Sequence, residues 1–392
     1  MPPGPRRIHR TADGKPPCRA APRAGGRRRT NGAQMTSRER ILTTLKGERP
    51  DRIGRTESPW AETWKVWREQ GLPEDVDPVD YFGWDFAGLP WPDVTLRLPV
   101  EIIEETETYI HRRDPNGVER KDWKSESGHT PHWLSHTLNN GDDWKRYKER
   151  LTPDADRLSP EMKQRWEQAR SRGLFTHWSS TEAYECAWPV FGQVNIFTMM
   201  MDEPEVVKDV FMTYTDLIIA LAEQALQQGI DFDGAFVYGD VGYRNGTLFS
   251  PECYDELLFP AHRKMCDFFR SHGKPVILHS CGQIKSLIPR FIEAGFSAIQ
   301  PLEAKCQQDV RELRQIHDKR IVFFGNIDVR KLSGTKDDVR EEVLSKLEAV
   351  ATDGGYIFHS DHSIPPTVPL ENYLYALELL DDFNARHYGA SG

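Results

Sequence analysis

From residue 174 to residue 362 the chain repeats one alternation, a short apolar run followed by a stretch of helical periodicity. The runs are LFTHWSS (174–180), GAFVYGDV (234–241), KPVILHSC (274–281), AIQPLE (298–303), RIVFFGNID (320–328) and GYIFHSDH (355–362). Runs that are apolar on both faces and alternate with helices make a parallel sheet covered by helices. Between them, 202–229 carries apolar residues at helical spacing and stops at Gly229. The stretch 250–273 opens with Ser-Pro-Glu, is expected to split at Pro260, and closes at Gly273. Further helices are expected over 284–294 and after Gly334. At least six such units in one chain predict an α/β fold closed into a (β/α)8 TIM barrel. An open doubly wound sheet is the competing architecture, and no glycine-rich phosphate loop supports its dinucleotide-binding form.

The rest of the chain is less regular. Residues 58–173 hold nine of the eleven tryptophans, and 104–157 is polar and charge-rich. This reads as the start of the barrel plus an insertion or lid at 104–157, near the N-terminal strands. Residues 1–34 carry nine Arg and Lys against one Asp, with abundant Pro and Gly. Such a tail is expected to be disordered, and it reads as an extension upstream of a true start at Met35. A transit peptide or a nucleic-acid arm is the minor alternative. The domain is then 35–392, opened by the helix signature MTSRERILTTLKGERPDR. Removing so basic a tail leaves a body more acidic than the net charge of −9, which argues against nucleic acid as the main partner. No apolar run approaches the ~20 residues that span a bilayer, and no hydrophobic stretch serves as a secretory signal. Six scattered cysteines suit reduced thiols. The expected location is cytoplasmic.

In a barrel of this kind the reactive groups stand at the C-terminal ends of the strands. Those positions hold Asp240, His279 with Cys281, Glu303, Asn326 with Asp328, and Asp361 with His362. Positions i and i+2 of a strand point to one side, so His279 and Cys281 can converge on one ion. Imidazole and thiolate are zinc ligands, and a catalytic zinc uses three protein ligands with one exchangeable position. His362 supplies the third. His359, three residues earlier, is expected on the other side of an extended strand. Asp240 is the candidate base or substrate-orienting residue, with loop organisation as its plain alternative. Glu303 supports the ligands or adds a fourth. Asp85, Tyr238, Asn326, Asp328 and Trp60 are candidate substrate-binding residues.

Five segments resemble the uroporphyrinogen decarboxylase superfamily over about residues 36–385. They are the N-terminal helix, DVGYRNGTLFSPECYDELLFPAHRK, VILHSCG, FFGNIDVRKLSG and HSIPPTVPLENYLYAL. The resemblance implies a (β/α)8 barrel and one of two chemistries. One branch decarboxylates a tetrapyrrole without metal or cofactor. The other comprises cobalamin-dependent methyltransferases that use zinc to activate a thiol. His279 and Cys281 match the zinc pair of the methyltransferases. His362 stands where that branch has a cysteine and the decarboxylases have a histidine. The arginine-rich motif with which decarboxylases hold carboxylates has no counterpart in RTESPWAETWKVWREQG.

The expectation is therefore a zinc-dependent methyltransferase with a His279, Cys281, His362 site. It moves a methyl group between a corrinoid, carried by a separate protein, or a methylated small molecule and a zinc-activated acceptor. A metal-free decarboxylase, with Asp240 or Asp85 stabilising a protonated pyrrole, is the second reading. A non-catalytic corrinoid- or tetrapyrrole-binding protein is the third. This barrel often pairs, and Phe- and Leu-rich helix faces permit a homodimer.

Overall fold

The computed structural model describes residues 34–124 and 130–389; the expected disorder of 1–34 falls almost wholly outside them. Eight parallel strands run β1 Gly54–Arg55, β2 Phe86–Gly88, β3 Phe175–Thr181, β4 Gly234–Tyr238, β5 Val276–Ser280, β6 Ala298–Pro301, β7 Val322–Phe324 and β8 Tyr356–Phe358. They pair in the order β1-β8-β7-β6-β5-β4-β3-β2. At the remaining seam the Asp85 N–H donates to the Arg55 carbonyl at 2.8 Å, so the sheet is a nearly closed barrel. All six expected strands form. Their last polar residues leave the ladder and enter the loops, which is where a site needs them. The expected break near Pro260 is real, dividing Pro251–Leu257 from Phe259–Ser271.

The barrel interior is layered. Phe86, Phe175, Phe236, Ile277, Ala298, Val322, Phe324 and Ile357 form a buried apolar cluster. The helix Ser37–Leu45, capped reciprocally by Thr36 and Glu39, adds Ile41 and Leu45 to that cluster and stoppers the N-terminal end. A second, larger cluster fills the space between strands and outer helices. Above the apolar layers, at the C-terminal end, the inward side chains turn polar.

Asp85, expected at a substrate, lies at the opposite end. It is fully buried and accepts from Arg40, Arg52, Ser37 and the Arg55 N–H at 2.7–2.9 Å. It joins the stopper helix to β1 and β2. Asn326 is also structural: it is fully buried, with its side chain bonded to the Val310 N–H and to the Leu302 and Gln308 carbonyls. Asp328 caps the turn Val329–Leu332 and pairs with Arg330. A short polar side chain just after a strand serves loop and helix starts as readily as ligands, and at these two positions it serves the loop and the helix start.

The insertion is a four-stranded antiparallel sheet, Glu101–Glu105, Tyr109–Arg113, Glu119–Trp123 and His132–Trp133, followed by the helix Gly141–Tyr147. It anchors on neighbouring helices through Trp133 against Trp188 and the Trp144 indole on Asp209. No described residue of 104–157 lines the central cavity. Among the described residues no helix is long and apolar enough to cross a membrane, and the five described cysteines are unpaired.

Candidate active site

A cavity of about 560 Å³ opens where the barrel interior turns polar. Its inner wall includes Phe86, His177, Phe236, Tyr238, His279, Cys281, Gln300, Phe324, His359 and His362, with Glu57 and Ser58 from the loop after β1. The strand register explains the layer: His279 lies level with Tyr238 on one side and Gln300 on the other.

His279 is fixed from behind. Its Nδ1 faces Gln300 Oε1 in a short hydrogen bond, and an amide oxygen only accepts, so Nδ1 carries the proton. That leaves Nε2 with its lone pair, 3.4 Å from Cys281 Sγ and 3.7 Å from Asp240 Oδ1. Burial lowers the His279 pKa, against the opposing pull of Asp240 and Gln300. The ring also packs against Tyr238, centroids 4.8 Å apart. Burial, then Asp240 and Glu303, push the Cys281 thiol up.

Glycine sets the position of Cys281. Gly282 has φ +81°, and a Cβ there would stand 2.4 Å from the Gly242 carbonyl carbon. The loops after β4 and β5 therefore touch backbone to backbone, which brings the Cys281 N–H to Asp240 Oδ1 at 2.8 Å. Asp240 thus ties down the loop after β5, not the loop that follows Asp240 itself, while its side chain stays 48% exposed. Its own N–H faces Glu185 Oε2 at 3.3 Å. Burial and the Asp240 charge push Glu185 up to about 7.

On the far side of Cys281, Glu303 accepts from the Gly282 N–H at 2.6 Å, pairs with Lys305 at 2.8 Å and stands 3.9 Å from His362 Nε2. Two groups of ligand atoms result, each within 4.8 Å of one another: Asp240, His279 and Cys281, and Cys281, Glu303 and His362. The expected triad is thus divided between them, with Cys281 common to both. Trp60 lies beside the site, its ring 6.0 Å edge-on from that of His362.

His359 does not turn away from the cavity as expected. It keeps the inward parity of Ile357, whereas His362, the reference for that expectation, lies four residues past the end of β8 at Phe358. Sequence reasoning also missed Glu57, His177, Glu185 and Gln300. For Gln300 a signal existed, because it shares the inward parity of Ala298 on β6. Glu57 sits in a loop after a two-residue strand and gave none.

Residues 189–383 match the family model described as uroporphyrinogen decarboxylase. The chain belongs to the uroporphyrinogen decarboxylase superfamily. Among curated relatives, the uroporphyrinogen decarboxylase of Aquifex aeolicus is 22% identical over 184 residues, 47% of this chain and 51% of the relative. Those of Carboxydothermus hydrogenoformans and Pseudoalteromonas translucida are 29% identical over 143 residues and 33% over 75. They are matched over 39% and 21% of their lengths, and cover 36% and 19% of this chain. The chain therefore spans about half or less of these superfamily relatives. A methyltransferase from Methanosarcina mazei superposes with a TM-score of 0.61 at 16% identity, covering 89% of this chain and 99% of that one. At that identity the likeness attests the fold.

Proposed function

We propose that this superfamily member is a zinc-dependent methyltransferase whose metal is held by His279, Cys281 and His362. The observation that carries the reading is the pairing of His279 Nε2 and Cys281 Sγ at 3.4 Å, with Nδ1 already committed to Gln300. Tetrahedral zinc places N and S ligands roughly 3.3–3.8 Å apart. Metal-bound histidines characteristically give their other ring N–H to an oxygen acceptor. The donor set therefore fits the ion. Glu303, already paired with Lys305, stands 3.9 Å from His362 Nε2 and adds a carboxylate to that side of the site. Bound there, zinc would lower the pKa of a substrate thiol or water, or polarise a substrate oxygen. Asp240 orients the substrate or takes its proton, and Tyr238 and Trp60 supply flat apolar surface at the site. The methyl donor we assign is a corrinoid on a separate protein or a methylated small molecule.

Elemental analysis of the purified protein tests the reading. About one zinc per chain, removed by chelation and restored by the metal alone, is the expected result. Wild-type protein without stoichiometric metal after loading would sink it. Replacing Gln300 by leucine is expected to weaken zinc binding about 10–100-fold without unfolding the chain. A competition titration against a chromophoric chelator measures this.

A metal-free decarboxylase is the second reading, favoured by the activity named for the curated relatives. Its substrate would carry many carboxylates and need several free cations. The basic side chains at this cavity, Arg165 and Arg172, are paired with Glu161 and with Asp77 and Asp80. That commitment weighs against it.

A further inference from the structure

The direction of the Cys281 thiol is set by the peptide units just past β5, and each of them is anchored from another loop. The Cys281 N–H donates to Asp240 Oδ1 at 2.8 Å. The Gly282 N–H donates to Glu303 Oε2 at 2.6 Å. The Gly282 carbonyl accepts from Gln308 Nε2 at 2.6 Å, and the Gln283 N–H donates to the Tyr243 carbonyl at 2.8 Å. Glycine has the widest backbone freedom of any residue, so Gly282, at φ +81°, stays where these bonds put it. Asp240 and Glu303 also stand among the ligand groups. Gln308 does not. It is 2% exposed and reaches the site through the Gly282 carbonyl.

Gln308 is fixed in turn from the end of β7. Asn326 Nδ2 donates to the Gln308 and Leu302 carbonyls, and Asn326 Oδ1 accepts from the Val310 N–H, so Asn326 shapes the loop after β6. Held this way, Gln308 leaves its own Oε1 buried with no partner among the described residues. A buried amide with an unpaired oxygen is less stable than an apolar side chain of the same size. Packing alone therefore does not account for a glutamine here, whereas the bond to Gly282 does. Gly282 is itself buried, and its carbonyl needs a donor. We infer that Gln308 is a positioning residue of the metal site, which keeps Cys281 Sγ turned toward His279 Nε2 by holding the Gly282 carbonyl. The consequence for zinc rests on the reading proposed above; the placement of the thiol does not.

Gln308→Met, which keeps the length of the side chain and removes the donor, tests this in the full chain. Zinc affinity, measured by competition titration, is expected to fall about 10–100-fold. In a Cys281→Ala background the same change is expected to alter affinity by less than about threefold, because a residue that acts through Cys281 then has nothing to position. On metal-free protein, alkylation of Cys281 by iodoacetamide, followed by peptide mass spectrometry, is expected to run at least about threefold faster, since the released turn lets the thiol leave the cavity wall. Circular dichroism checks the fold. Gln308→Glu, which keeps the shape and sets an acceptor against the Gly282 carbonyl, takes the place of the first variant if that one does not fold. Unchanged zinc affinity, an equal loss with and without Cys281, or an unchanged alkylation rate would each overturn the positioning role. If the wild type holds no zinc, the zinc reading falls and the alkylation rate alone decides: a faster rate sustains the positioning role, and an unchanged one ends it.

Discussion

Replacing Asp85 by alanine is expected to cost about 3–5 kcal/mol of stability, the scale for removing one partner of a buried ion pair. Asp85 is fully buried and its carboxylate is shared by two guanidinium groups. Arg40 has only 3% of its side chain exposed, so water cannot replace the lost partner, and its remaining pair with Asp51 must serve alone. The change also frees the Ser37 hydroxyl and the Arg55 N–H, which sit where the stopper helix meets the barrel seam. Burial pushes the Asp85 carboxyl up, but Arg52 and Arg40 outweigh it, and the pKa is lowered overall. A carboxyl whose folded pKa is depressed contributes above its unfolded value of about 3.9, and loses that contribution as the pH falls further. The difference between wild type and Asp85→Ala should therefore be undiminished from neutral pH to about pH 5. Urea denaturation at pH 7 and pH 5 measures it. A difference under about 1 kcal/mol, the range of an exposed pair, would mean that Asp85 does not join helix to barrel.

Asp85 also marks where the sequence stopped being legible. The six strands from 174 onward could be read because parallel strands buried on both faces are continuous apolar runs. β1 and β2 hold two and three residues, Gly-Arg and Phe-Ala-Gly, too few for any period. With those strands unplaced, Asp85 could not be assigned to an end of the barrel. The insertion hid for a different reason. Its strands are held by cross-strand ion pairs such as Arg112 with Asp122 and Arg113 with Glu101, not by an alternating apolar face, so a charge-rich sequence concealed a sheet. At the site, strand parity brought His279 and Cys281 together even though Cys281 lies one residue past the end of β5. Counting parity back from His362 misplaced His359, because His362 lies four residues past the end of β8 whereas His359 keeps the inward parity of Ile357. What could not be read at all was pairing between loops, such as the two backbone N–H groups that hold Glu57 beside His359.

Loss of Cys281 is expected to damage metal binding more than loss of any other ligand. Sγ of Cys281 is the one atom common to both ligand groups, so Cys281→Ala dismantles Asp240–His279 and Glu303–His362 together. Structural zinc sites bind with about 10–16 kcal/mol over four ligands, roughly 3 kcal/mol for each, or about 100–1,000-fold in affinity. On that scale His362→Ala removes one ligand and leaves His279, Cys281 and the carboxylate of Asp240 to hold the ion, weakened by about 100-fold. Cys281→Ala removes the thiolate and the bridge between the groups, and should exceed about 1,000-fold. Neither change should unfold the chain, since both side chains stand in the cavity wall above the apolar layers. Zinc competition titrations, with circular dichroism as the check on folding, order the variants. If His362→Ala proved the more damaging, the ion would sit on the Glu303 side and His279 would be a pocket residue. If the two were equal and small, Cys281 would not be a ligand, and the zinc reading would fall with it.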